Sequence, residues 1–398
     1  MKFTKFCLVS ALATGSLAAQ GVFDVSPNDG LVEDIPLEFS ATVNLGWDDN
    51  VTPSVPSNRG DSLGYTSINV GANYLSFGPQ TNIDFNLKLG LLHYFDNVES
   101  SGVKDTYNDT KGILNIKHNV SERLYVQTRN YIFYGLEPDY THGVVNDRSN
   151  DDYFLFSTDN SLGYKWNARL ATVTGISFRT LNYDNEIDQV NDRQSVGVYQ
   201  QFRYVAGPQS VATFDYRYLA TDVNGGLDSQ SHKLLVGVEH RVSESGVFVG
   251  KVGAQFRKVD TRSSQTDPTF ELAYIQRVNE VFRVRLNAAY DVNDYGTSSS
   301  GANFENNQAF RFASAGDYHL SQDLYFTGGV NFVTNDYYGG RPDDDSQVLN
   351  FHIGATYSIL DNLNANVTYN YTKSYDDGDT LNREYDRSRV QAGLTYIF

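Results

Sequence analysis

The sequence predicts an all-β protein: a transmembrane antiparallel up-and-down β-barrel of about eighteen strands with short periplasmic turns and longer outer loops. Three observations predict it. Apolar residues recur at every second position from about residue 37 onward, with no 3.6-residue periodicity. Connections between these rows alternate between tight and long. Aromatics make up 14% of 398 residues, with 28 Tyr and 24 Phe, yet mean hydropathy is only −0.43. Many rings at low average hydropathy is what a sheet with one apolar and one polar face produces.

Residues 1–19 read as a secretory signal peptide. Lys2 and Lys5 form a basic start, Phe6 opens an apolar stretch, and Ser16-Leu17-Ala18-Ala19 closes it with small residues, so cleavage is expected after Ala18 or Ala19. A helical anchor needs roughly 20 apolar residues, and this stretch is shorter and broken by Ser, Thr and Gly. Cys7 and Met1 are the only Cys and Met, and both fall in this segment. That excludes a disulfide framework, a thiol nucleophile and a Cys-based metal site from the mature chain. Residues 20–36 form a periplasmic lead, and 37–398 the barrel.

The first row is Leu37, Phe39, Ala41, Val43, Leu45 and Trp47, with Glu38, Ser40, Thr42 and Asn44 between them. Ile68, Val70, Ala72 and Tyr74 follow, then Ile83, Phe85, Leu87, Leu89 and Leu91. Later rows include Val196, Val198 and Phe202; Leu234, Val236 and Val238; and Phe282, Val284, Leu286, Ala288 and Tyr290. The pattern weakens near 105–121 and 150–168, which leaves sixteen strands as the alternative to eighteen.

Eight tight turns are expected at 77–80, 119–122, 165–168, 206–209, 242–245, 277–280, 320–323 and 360–363, each holding Gly, Pro, Asn, Ser or Asp. Nine longer, Asp-rich connections lie near 48–62, 96–108, 136–151, 184–192, 221–230, 259–268, 291–305, 335–347 and 372–386. An even strand count puts both chain ends on the side of the tight turns. A soluble sandwich or propeller is the competing architecture. No blade repeat is visible, and strands this long would leave exposed edges that only closure removes.

The last residues carry a further signal. Val390, Ala392, Leu394, Tyr396 and Phe398 alternate with Gln391, Gly393, Thr395 and Ile397. The pattern of Gln391, Gly393, Tyr396 and Phe398 resembles the C-terminal signal that bacterial outer-membrane barrels present to their assembly machinery. Trp47-Asp48-Asp49-Asn50, echoed by Phe95-Asp96-Asn97 and Tyr183-Asp184-Asn185, is similar to the strand-end motif of the type 2 β-barrel porins of Gram-negative outer membranes. The resemblance covers nearly the whole mature chain through short, loose motifs. It implies a cell outer-membrane barrel with a pore and no known substrate.

If the apolar rows face lipid, the alternate residues face a lumen. There the basic side chains Lys88, Lys117, Arg129, Arg179, Arg203, Arg217, Lys233, Arg241, Lys251, Arg257, Arg283, Arg285 and Arg311 outnumber Asp84, Asp159, Asp215, Glu239, Glu271 and Asp317. Net charge is nevertheless −17, so the acids are expected at loop tips, among them Asp48, Asp49, Asp336, Asp343, Asp344, Asp345, Asp376, Asp377 and Asp379. Two readings follow: an anion-favouring constriction, or basic residues that pair with lumen carboxylates and brace the wall. Asp343-Asp344-Asp345 and Asp376-Asp377-Gly378-Asp379 offer oxygens suited to Ca²⁺ but do not match the twelve-residue helix-loop-helix pattern. Solvated loop tips are expected and divalent bridging to lipopolysaccharide is the alternative, so no metal site or cofactor is named.

The acidic balance argues against nucleic-acid binding. Seven scattered histidines form no HExxH, and no GxSxG nucleophile elbow stands beside them. An enzyme is therefore not expected, and no catalytic residue is named. The function expected is a porin-like channel for passive or weakly selective diffusion of small hydrophilic solutes. The alternative is a barrel that binds surface polysaccharide or serves exopolysaccharide export. Expected partners are outer-membrane lipid and lipopolysaccharide, the barrel-assembly machinery and the solutes themselves. Homo-oligomerisation stays open.

Overall fold

The computed structural model describes residues 35–51, 62–95, 104–138, 151–184, 189, 192–224, 227–260, 264–294, 306–338, 344–376 and 384–398. The expected signal peptide (1–19) and most of the expected lead (20–36) lie outside these residues. The strands are β1 (Ile35–Asp48), β2 (Leu63–Phe77), β3 (Thr81–Tyr94), β4 (Thr106–Asn119), β5 (Leu124–Gly135) and β6 (Tyr153–Lys165). Next come β7 (Leu170–Tyr183), β8 (Arg193–Gly207), β9 (Ser210–Val223), β10 (Ser229–Ser243), β11 (Gly246–Val259) and β12 (Gln265–Arg277). The last six are β13 (Phe282–Asp294), β14 (Asn306–His319), β15 (Leu324–Tyr338), β16 (Asp344–Leu360), β17 (Leu363–Asp376) and β18 (Tyr385–Ile397). Each pairs antiparallel with its neighbours in sequence, and β1 pairs with β18, so the 18-stranded sheet closes on itself. Closure gives every strand a partner on both sides and removes the edges.

All eight expected tight turns fall between an even strand and the odd strand that follows it. The chemistry is repetitive. Ser121 Oγ accepts from the backbone N–H groups of Arg123 and Leu124, and Asn167 Oδ1 accepts from those of Arg169 and Leu170. Asn279 and Ser321 repeat the arrangement. A short polar side chain that satisfies two N–H groups takes the place of ladder bonds and reverses the chain.

Strands run from 12 residues in β5 to 17 in β16, longer than the roughly 9–11 a tilted membrane strand needs. Val43, Leu45, Ile68, Val70, Leu89, Val196, Val236, Val252 and Val367 all present exposed side chains on the outer face. Aromatics mark the turn end of that face: Tyr204, Tyr357, Tyr396, Trp166 at 56% exposure and Phe398 at 72%. Among the described residues no helix is long and apolar enough to cross a membrane, a test that does not bear on strands.

The weakly patterned strands are regular β4 and β6, and their side chains explain the weakness. On β4 to β7 the inner face carries buried apolar groups, with Ile113, Tyr131, Tyr153, Leu155 and Leu181 forming one cluster. The outer face there sets polar ones among apolar residues such as Ile116, Val126, Leu162 and Ile176. Thr158 Oγ1 donates to Asn130 Oδ1 (2.8 Å), Asn160 Nδ2 to Thr158 Oγ1 (3.0 Å) and Thr174 Oγ1 to Gln200 Oε1 (2.6 Å). The expected rule of apolar outside and polar inside is therefore weakened on this quarter of the wall, where polar side chains on the outside bond to one another.

Candidate functional site

The inner wall narrows where the chain leaves β5. Instead of continuing outward, Leu136 turns in and packs with Val51, Tyr65, Leu92, Tyr94 and Tyr107. The next residue, Glu137, reaches β18, five strand steps around the barrel. Its carboxylate accepts from Arg387 Nη1 and Nη2 (2.7 and 2.9 Å) and pairs with Arg389 Nη1 (3.0 Å). On its other side Arg387 donates to both oxygens of Asp48, from Nε at 2.9 Å and Nη2 at 2.5 Å. Tyr94 donates its hydroxyl to Asp48 (2.9 Å). The Arg389 guanidinium lies over the Tyr65 ring, 4.9 Å from its centroid, and Tyr65 donates to Gln391 Oε1 (3.1 Å). Two guanidinium groups between two carboxylates give a constriction whose formal charges cancel. Planar bidentate pairs of this kind hold geometry as well as charge.

From β8 to β14 the inner face is a lattice of ion pairs. Arg203 pairs with Glu239 through two bonds (2.7 and 2.5 Å), and Arg217 with Glu271 (2.7 and 2.9 Å). Asp215 accepts from Lys251 (2.5 Å), Arg217 (3.2 Å) and Gln201 (2.8 Å). Asp291 takes both Lys233 (3.1 Å) and Arg311, while Arg285 meets Asp317 (3.1 Å). Lys251 sits on β11 and Asp215 on β9, so the lysine must cross β10. It does so over Gly237, where a Cβ would strike the Lys251 stem. The Lys251 side chain is 0% exposed.

The opposite wall is neutral. Asn331 Nδ2 donates to Asn350 Oδ1 (3.2 Å), and Asn350 Nδ2 donates to Asn370 Oδ1 (3.0 Å) and Thr372 Oγ1 (2.9 Å). Thr42 and Thr395 share a hydroxyl bond (2.9 Å), and Asn44 donates to Ser67 (2.9 Å). Open space lies along this wall. A cavity of about 310 Å³ sits beneath Glu137 and Arg389, and one of about 500 Å³ extends between β1–β4 and β13–β18. They adjoin at Lys111, Asn331, His352, Thr368 and Gln391.

Of the thirteen basic residues expected to face the lumen, Lys88 and Arg285 border the larger cavity, Lys88 paired with Asp109 (2.5 Å). Arg203, Arg217, Lys251 and Arg311 are tied into the ion-pair lattice. Arg129 stands opposite Asp159 in the β5–β6 ladder and Arg283 opposite Asp317 in β13–β14. Arg179 and Arg257 share the inner face of β7 and β11 and are engaged by neighbours.

The placement of the acids at loop tips needs correcting. Asp48 is the end of β1 and 0% exposed, Asp336 lies within β15, and Asp344, Asp345 and Asp376 lie within β16 and β17. These strands run further than their apolar rows, so residues read as loop are wall. Asp343, Asp377 and Asp379 lie outside the described residues.

Arg387 and Arg389 were absent from the expected lining, though the signal was present: both share parity with Gln391, inward from the apolar row Val390, Ala392, Leu394. In the terminal segment Gln391 and Gly393 face the lumen. A Cβ on Gly393 would strike the Asn44 side chain and the Val43 carbonyl. Tyr396 and Phe398 project outward and meet edge to face with centroids 5.0 Å apart.

No family model matches the chain, and no curated protein does. Among solved structures it is similar to OccAB4 of Acinetobacter baumannii, with a TM-score of 0.46 and 11% identity over 92% of this chain and 99% of that one. It is also similar to a BenF-like porin from Pseudomonas fluorescens Pf-5, with a TM-score of 0.43 and 11% identity over 93% and 100%. The outer membrane protein opdK from Pseudomonas aeruginosa has a TM-score of 0.43 and 10% identity over 91% and 99%.

Proposed function

We propose that this chain is an outer-membrane channel of porin type, through which small hydrophilic solutes diffuse with weak charge preference. The observation that carries the proposal is the pair of adjoining polar cavities inside a closed 18-stranded barrel, set against an outer face of exposed aliphatic residues with aromatics at its turn end. In hydrocarbon every backbone N–H and C=O must be bonded internally, which a closed barrel achieves. A barrel of this size encloses water unless it is plugged. Among the described residues the inward turn at Leu136–Pro138 leaves space beside it, since the smaller cavity lies directly against Glu137 and Pro138.

Weak charge preference follows from pairing. Most basic residues of the inner wall are already matched to carboxylates, so bracing accounts for them better than an anion-favouring ring does. The C-terminal set Gln391, Gly393, Tyr396 and Phe398 serves assembly in this reading, with lipopolysaccharide and lipid against the outer face.

Planar-bilayer conductance of refolded protein tests the channel, with liposome swelling by neutral sugars as a second measure. Steady single-channel steps and a reversal potential near zero in a salt gradient are expected. A barrel that is folded by heat-shifted gel mobility yet conducts nothing overturns the channel and favours a polysaccharide-binding or export role.

A further inference from the structure

We propose that Asp151, Asp152 and Asp184 form a divalent cation site, best suited to Ca²⁺, that ties the start of β6 to the end of β7 at the outer rim. The three side chains offer ligand oxygens that lie within 4.8 Å of one another. Ca²⁺ holds oxygens at 2.3–2.6 Å, so ligands on opposite sides of one ion stand about 5 Å apart. An all-oxygen set selects a hard cation over a softer transition metal.

Proximity of acids alone would mean little on a solvated rim, but Asp152 is not solvated. It is 2% exposed. One carboxylate oxygen, Oδ2, accepts from the Asn108 backbone N–H (3.0 Å) and from Asn108 Nδ2 (2.8 Å). The other, Oδ1, is buried and has no hydrogen-bond partner. A buried carboxylate oxygen without a donor costs free energy that a bound cation recovers.

The surroundings set the charge of that cation. Lys104 Nζ lies 2.7 Å from Asp151 Oδ1, so among the described residues one ammonium stands against the three carboxylates. Tyr134 donates its hydroxyl to Asp184 Oδ2 (2.6 Å), and the Asp184 backbone N–H donates to the Asp152 carbonyl (3.0 Å). Two separate outer connections are thus joined at one point. Asp151 and Asp152 close the connection that Glu137 opens, and Asp184 begins the one after β7. A cation held between them ties the start of β6 to the end of β7. The site does not depend on whether the barrel conducts.

The test uses full-length mature protein refolded in detergent free of lipopolysaccharide, with Tb³⁺ as the probe. Excitation of tyrosine should give Tb³⁺ emission, because the Tyr134 ring stands beside Asp184. Ca²⁺ should displace it with a midpoint on the order of 10⁻⁴–10⁻³ M, the range of exposed extracellular sites. Asp152→Asn is expected to weaken Tb³⁺ binding at least tenfold and Lys104→Met to tighten it several-fold, while Asp345→Asn leaves it unchanged. Should Asp152→Asn fail the gel-mobility test of folding, the exposed Asp184→Asn gives the same readout. Absence of saturable emission from the wild-type barrel overturns the proposal, as does emission indifferent to both the Asp152 and Asp184 variants.

Discussion

Between β8 and β14 the inner wall is charged and tightly packed, with Asp215, Lys251 and Glu271 nearly out of reach of solvent. Between β15 and β2, across β18 and β1, it is built below the Asp48, Arg387 and Arg389 cluster from amides and hydroxyls and borders the open cavities. Both walls follow the same alternation along the strand. They differ in how the inward side chains are satisfied. Long charged groups reach over intervening strands to one another, as Lys251 does across Gly237, and so cover the wall. Short amides bond to the adjacent strand and leave space in front of them. The charge of a lumen is therefore not the sum of its inward residues. What a solute meets is set by the groups that remain after pairing.

The largest effect is expected from Asp215→Ala, which leaves Lys251 buried beside Arg217 without its carboxylate. Removing one partner of a buried pair costs about 3–5 kcal/mol, readable as a lower midpoint in urea unfolding from lipid vesicles. A loss below about 1 kcal/mol, the value of a surface pair, would mean that this wall is as wet as the other. Next is Glu137→Ala, which frees the inward turn from Arg387 and Arg389 while Asp48 still holds Arg387. Single-channel conductance should rise at least twofold, with the reversal potential moving toward anions. Unchanged conductance would place the narrowest point elsewhere.

A smaller effect separates pairing from selectivity. Glu239→Gln should tip the channel modestly toward anions by uncovering Arg203, and the double variant Arg203→Gln with Glu239→Gln should return it close to wild type. A double variant that shifts as far as the single one would show that these residues act on the permeating ion singly. The smallest effect belongs to the amide wall. Asn350→Ala breaks bonds to Asn331, Asn370 and Thr372, but lumen water replaces much of what is lost, so about 1 kcal/mol is expected in the same unfolding assay. A cost as large as that of Asp215→Ala would erase the distinction between the walls.

Much of the barrel was legible before any coordinates. Turn residues such as Ser121, Asn167, Asn279 and Ser321 sit where the hairpins reverse because their side chains bond to N–H groups two and three residues ahead. Apolar rows such as Leu37 to Trp47 are outward because a strand has a period of two. The reading weakened at β4 and β6, where Ile113 and Leu155 face in while Thr158 and Asn160 face out. There the polar groups are satisfied laterally, by Asn130 and by each other, and lateral partners leave no trace in a single strand's periodicity. The constriction was half legible: the parity of Arg387 and Arg389 placed them inside, but nothing local named Glu137 as their partner.

The amino-acid order alone determined the barrel class, the turn positions and, along the well-patterned strands, the side of the wall each residue occupies, because these depend on backbone geometry over a few neighbouring residues. It left the strand number between sixteen and eighteen. Only the tertiary structure decided which charges meet: Glu137 with Arg387 across 250 positions of chain, Asp48 with the same arginine across 339, and Asp152 with Asp184 at the rim. Such pairs depend on how a closed sheet curves and how far side chains reach across it, and closure is a property of all eighteen strands together.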